Sequence, residues 1–110
     1  MTPFLTTSVF EAKKLYYSSK RESITQRQAM KEWKEFALTQ VQNAQTFTEL
    51  EKAYLNTPPK SDAKSLAITK WLEICTTTNQ IKRVQEKTSK GSKDHWLAHK
   101  KLAQLQKQTQ

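Results

Sequence analysis

Apolar residues along this chain recur in short stripes at helical spacing, separated by polar turns. Val9, Ala12, Leu15 and Tyr16 fall on one face of a helix, as do Phe47, Leu50, Ala53 and Tyr54, and then Ile81 and Val84. Between these stripes lie Ala29, Trp33 and Phe36, then Ala67, Trp71 and Ile74, then Ala98, Leu102 and Leu105, each spaced i, i+4, i+7. No segment of useful length alternates apolar and polar residues as a half-buried strand does. The pattern predicts helices over 9–19, 25–43, 47–56, 62–75, 78–88 and 93–106.

The stripes are copies of one another. Moved by 38 positions, Val9, Glu11, Leu15, Tyr16, Ser19, Ser23, Ala29, Trp33 and Phe36 land on Phe47, Glu49, Ala53, Tyr54, Thr57, Ser61, Ala67, Trp71 and Ile74. A further move of 31 gives Thr78, Gln80, Val84, Gln85, Thr88, Ser92, Ala98, Leu102 and Leu105. The two shifts differ by seven residues, close to two helical turns. An insertion around Ala37 to Asn43 therefore lengthens one helix without rotating its apolar face. Each unit opens on a capping box, Ser8-x-x-Glu11, Thr46-x-x-Glu49 and Thr77-x-x-Gln80. The turns Ser18–Glu22, Thr57–Lys60 and Thr88–Gly91 hold two of the three prolines and the only glycine, and Ser23, Ser61 and Ser92 follow as N-caps. The fold expected is all-α: one helical-repeat domain of three tandem hairpins, six helices, in units 8–45, 46–76 and 77–106. The third unit carries Thr78, Gln85 and Leu102 where the second has Phe47, Tyr54 and Trp71, as suits a terminal repeat facing water. Trp33, Trp71, Tyr16 and Tyr54 sit in repeat register and read as core. Tyr17 and Leu55 fall just beside that stripe, partly buried or lining a surface groove.

The run Glu49-Leu50, Ala53-Tyr54, Thr57-Pro58, Ser61, Ala63, Leu66-Ala67, Lys70-Trp71, Glu73-Ile74 resembles short tandem α-hairpin repeats of uncharacterised bacterial proteins. More distantly it is similar to tetratricopeptide repeats, whose second-helix spacing Ala67-x-x-x-Trp71-x-x-Ile74 matches. The first helix lacks the Gly that family places beside its Leu. The resemblance covers residues 8–105 and implies a binding scaffold that works through variable surface positions; it transfers no functional residue.

Composition changes the picture in one respect. Leu, Ile, Val and Phe make up only 21 of 110 residues, and the net charge is +9, so the core is thin. The charge is unevenly spread: residues 1–45 carry net +3, residues 46–76 net zero and residues 77–110 net +6. Lys82, Arg83, Lys87, Lys90 and Lys93 run through the third hairpin's first helix and turn, with Lys100 and Lys101 on its second helix. This patch is expected to face nucleic-acid backbone or an acidic protein surface; the plainer reading is a solvated end kept soluble by lysines. Lysine predominates over arginine, which disfavours bidentate base reading. Trp96 breaks the repeat, since its equivalents are Ser65 and Arg27, so the register predicts an exposed ring beside lysines, suited to stacking on a base. The alternative is a ring folded over the chain's end.

Catalytic patterns are lacking. One glycine allows no phosphate-cradling loop, and one cysteine, Cys75, allows neither an internal disulfide nor a cysteine zinc site. Cys75 follows Ile74 and reads as a buried, inert thiol. His95 and His99 share a helix face, but no third ligand accompanies them. Glu32/Glu35 and Glu49/Glu51 lie among lysines and read as solvated faces. The N-terminus shows no signal peptide, and no stretch approaches the roughly 18 apolar residues of a membrane span. The expectation is a soluble, cytoplasmic, non-catalytic module without cofactor, metal or small-molecule substrate, export by a dedicated secretion system remaining compatible. Its expected partner is nucleic acid or a nucleoprotein assembly. The competing reading is an adaptor or inhibitor that takes an acidic protein in the groove between hairpins.

Overall fold

The computed structural model describes residues 4–108, and six helices occupy most of them: α1 Val9–Ser18, α2 Ile24–Asn43, α3 Phe47–Leu55, α4 Asp62–Ile74, α5 Thr78–Lys87 and α6 Lys93–Gln108. No strand occurs among the described residues. Consecutive helices pair as three hairpins, and α2, α4 and α6 stack on one another in sequence, giving an elongated body of 55 × 27 × 18 Å. Every helix starts in repeat register. The ends of α2 and α4, at Asn43 and Ile74, are 31 residues apart while their starts, Ile24 and Asp62, are 38 apart. The inserted seven residues have therefore lengthened α2 by two turns and left its packing face in place.

Local chemistry repeats with the register. Thr46 and Thr77 accept from the amides of Glu49 and Gln80, whose side chains accept in return, as capping boxes do. The first box differs. Ser8 accepts from the Glu11 amide, but the Glu11 carboxylate takes the amide and hydroxyl of Thr7 rather than the cap's own amide. Each hairpin turn closes with a hydroxyl on the last turn of its first helix: Ser19 to the Leu15 carbonyl, Thr57 to Tyr54 and Thr88 to Gln85. Each turn then passes through one left-handed residue at the same register position, Glu22 (φ 63°), Lys60 (58°) and Gly91 (81°). Only the third unit places there the residue that adopts this conformation without steric cost.

Two hydrophobic clusters hold the stack. Trp71, Leu50, Ile68, Ile81, Val84 and Ala98 centre the larger one, which Val41 and Ala44 of the first hairpin also enter. Trp71 is thus buried in a cluster to which all three hairpins contribute, with the rings of Phe47 and Tyr54 at 5.4 and 5.6 Å. The smaller cluster joins Ala12, Trp33 and Ala37 to Ala63 of the second hairpin. Trp33 donates from its indole to the Asn56 carbonyl at 2.7 Å, whereas the buried Trp71 indole N–H has no partner among the described residues.

The expectation for Glu32 is overturned. Glu32, read as a solvated acid, is fully buried. It accepts from the amides of Leu5 and Thr6, the Thr6 hydroxyl and the Gln28 amide, at 2.7–2.9 Å. The repeat register explains why an acid stands there. Its equivalents are Lys70 and Lys101, and Lys70 donates to the carbonyls of Val41, Gln42 and Ala44 at the end of α2. Where the preceding segment is a helix end, carbonyls are left over and a cation suits them. Ahead of α1 the same place holds non-helical residues whose amides are free, and a carboxylate suits those. Burial works to push the Glu32 carboxyl up, but the hydrogen bonds outweigh it and hold the carboxyl below its ordinary value of 4.5. A depressed carboxyl contributes stability above its unfolded value and loses it as pH falls through the folded one. The Leu5 and Thr6 amides should therefore lose hydrogen-exchange protection below about pH 4.5. Glu32→Gln should reduce their protection at least about tenfold at neutral pH, where the native protein keeps it. Unchanged protection in that variant would show that segment 4–7 is held by other contacts.

Candidate nucleic-acid interface

Ser92 caps α6, accepting from the His95 amide at 3.2 Å, and so fixes which residues face outward along that helix. Ala98 turns inward and is fully buried. Lys93, Trp96 and Lys100, at i−3, i and i+4, fall on the opposite side and are exposed. Trp96 is 56% exposed, the position its register predicts, and Lys100 sets its ammonium 5.3 Å from the ring centroid. Asp94, next to this stripe, is occupied on its inner side. It accepts from the Tyr54 hydroxyl at 2.9 Å, a bond that ties the start of α6 to the second hairpin. Burial, with Asp94 adding to it, pushes the Tyr54 phenol well above its usual range, so it stays a neutral donor.

The eight residues singled out in the sequence do not form one patch. Lys90 and Lys93 lie at and just beyond the third turn, with Lys87 at the end of α5 leading into it, all exposed. Lys82 is exposed on α5. Arg83 is turned away from that group. Its guanidinium pairs with Glu51 of α3 at 2.9 Å and makes two further contacts through Nε, bridging second and third hairpins. The reading of Glu51 as a solvated acid is corrected with it, since this carboxylate serves the inter-hairpin bridge. Lys101, the register equivalent of Lys70, is half-buried and lines a shallow hollow with Thr69, Leu72 and Glu73 of α4. It lies close enough to Cys75 to act on the thiol, although burial dominates and pushes that thiol up. Cys75 is buried, with its Sγ–H directed to the Trp71 carbonyl at 3.2 Å.

His95 is engaged through Nδ1 with the Thr88 hydroxyl at 2.9 Å, and His99 is exposed one turn on. Among the described residues no three His, Cys, Asp or Glu side chains converge on a point. None of the described helices is long and apolar enough to cross a membrane. No known protein family, curated protein or solved structure matches this chain.

A second surface lies at the opposite end of the array. Tyr17 is 65% exposed and Phe10 74%, and with Val9, Lys13, Lys14 and Asn56 they line a groove of about 490 Å³. The sequence pattern placed Tyr17 at such a groove or partly buried. Phe10 it passed over, because a single aromatic on the polar side of a stripe has no periodic signal.

Proposed function

We propose that this protein is a non-catalytic basic module that docks on nucleic acid, alone or within a nucleoprotein assembly, through its third hairpin. The observation that carries this reading is the Lys93–Trp96–Lys100 stripe, an exposed indole between two cations on one helix face. Phosphates pair with ammonium groups wherever these are free of acids, and a base can stack on the indole face that Lys100 leaves open. Lys87 and Lys90 continue the same charge around the turn. Paired lysines without bidentate arginine forks favour the backbone over base edges, so binding would be tolerant of sequence.

Trp96 also supplies the readout. Trp33 and Trp71 are buried, so acrylamide should reach only the third indole, and an oligothymidylate should quench that same component. Trp96→Ala is expected to weaken single-strand binding by about 1–3 kcal/mol with little change in salt dependence, because stacking releases no counterions. An oligonucleotide that binds while leaving the accessible indole unquenched would remove Trp96 from the interface.

The exposed Phe10 and Tyr17 favour a second reading, an adaptor or inhibitor that takes an acidic protein in the inter-hairpin groove beside Lys13 and Lys14. Such a protein would recover one defined partner at moderate salt and would not shift an oligonucleotide.

A further inference from the structure

We propose that the turn edge of the array is a track for an extended nucleic-acid strand, with a cationic step in each of the three repeats. This rests on the nucleic-acid reading above and carries it beyond the third hairpin. The three turns are built by one device: a closing hydroxyl, a left-handed residue and a serine cap. Residues at or just before the left-handed position therefore project from the same edge in every unit. Basic residues occupy it each time, Arg21 in the first turn, Lys60 in the second and Lys90 in the third, and all are exposed. Stacking places neighbouring turns about one helix–helix separation, 8–10 Å, apart. The second and third face each other across a cleft of about 350 Å³ that Lys60, Lys64 and Lys93 line together with Ser61, Ser65, Ser92 and the acid Asp94.

Side chains, not helix dipoles, supply the field. At this edge α2, α4 and α6 begin while α1, α3 and α5 end, so their dipoles oppose. Lys20, Arg21, Lys60, Lys64, Lys87, Lys90 and Lys93 stand there against Glu22, Asp62 and Asp94. Asp94 is held by Tyr54, and Lys64 lies 5.3 Å from the Tyr54 ring centroid, at the cleft's rim. The cationic side chains of the cleft all remain in contact with solvent, which suits a strand passing along it better than a captured single phosphate. At its third-hairpin end the track meets Trp96, a stacking platform that an acidic polypeptide would not use.

Arg21→Gln combined with Lys60→Gln tests the track, because both side chains are exposed and neither belongs to the third hairpin. Each cation engaged on a single strand contributes about 0.7 to the slope of log affinity against log salt. The double variant should lower that slope by about 1.4 for an oligothymidylate of about 20 nucleotides, while the quenching of the accessible indole at saturation stays as in the native protein. An unchanged slope would overturn the track and leave the third-hairpin reading standing. Absence of binding by the native protein at low salt would overturn both. Equal binding of polyglutamate, with the same loss in the variant, would replace nucleic acid by an acidic protein.

Discussion

Replacing Trp71 by alanine is expected to cost about 3–5 kcal/mol, a large share of the 5–15 kcal/mol that holds a domain together. The indole is fully buried in the larger cluster, to which Val41 and Ala44 of one neighbouring hairpin and Ile81, Val84 and Ala98 of the other contribute, and its helix packs on α2, α5 and α6, so no single helix can move in to fill the space. The thin apolar composition worsens the loss, since few other large side chains share the load. Trp71→Phe separates packing from hydrogen bonding. The Trp71 N–H has no partner among the described residues, whereas the Trp33 N–H donates to the Asn56 carbonyl, so Trp33→Phe should be the costlier of the two by about 1 kcal/mol. Urea melts measure both. A Trp71→Ala loss below about 1 kcal/mol would mean that the stack does not close on this residue.

The fold was legible because every level of the sequence repeats together: capping hydroxyl, apolar stripe, turn and second stripe. The seven-residue difference between the two shifts foretold the longer α2, and the helix ends fell within about two residues of those expected. Glu32 was misread for a physical reason. Periodicity places a side chain on a face, but whether that face meets water depends on what precedes the helix, here a non-helical segment offering free amides. Comparison across units held the missing signal, an acid where the other two repeats carry Lys70 and Lys101. Trp96 was found by the opposite logic, as the residue that breaks the register. Arg83 was placed in the patch by charge alone, and linear sequence gives no sign that Glu51, 32 residues earlier, would claim it.

That pairing decides how the interface should be tested. Reversing Arg83 would set two carboxylates together at the inter-hairpin bridge and confound binding with stability. Lys82, Lys87, Lys90 and Lys93 are exposed and make no ion pair shorter than 4 Å among the described residues, so their reversal to glutamate should leave the helices intact. Each reversal removes a phosphate contact and adds a repulsion. Together they should lower affinity for a single-stranded oligonucleotide at least about a hundredfold at moderate salt and flatten its salt dependence. The most direct test of the central claim is therefore fluorescence anisotropy of a labelled oligothymidylate titrated with the native protein and with this fourfold variant, helicity being followed in parallel by circular dichroism. The predicted result is salt-sensitive binding by the native chain that is lost in the variant at unchanged helicity. Undiminished binding by the variant would contradict the account and move the working surface to the groove at Phe10 and Tyr17.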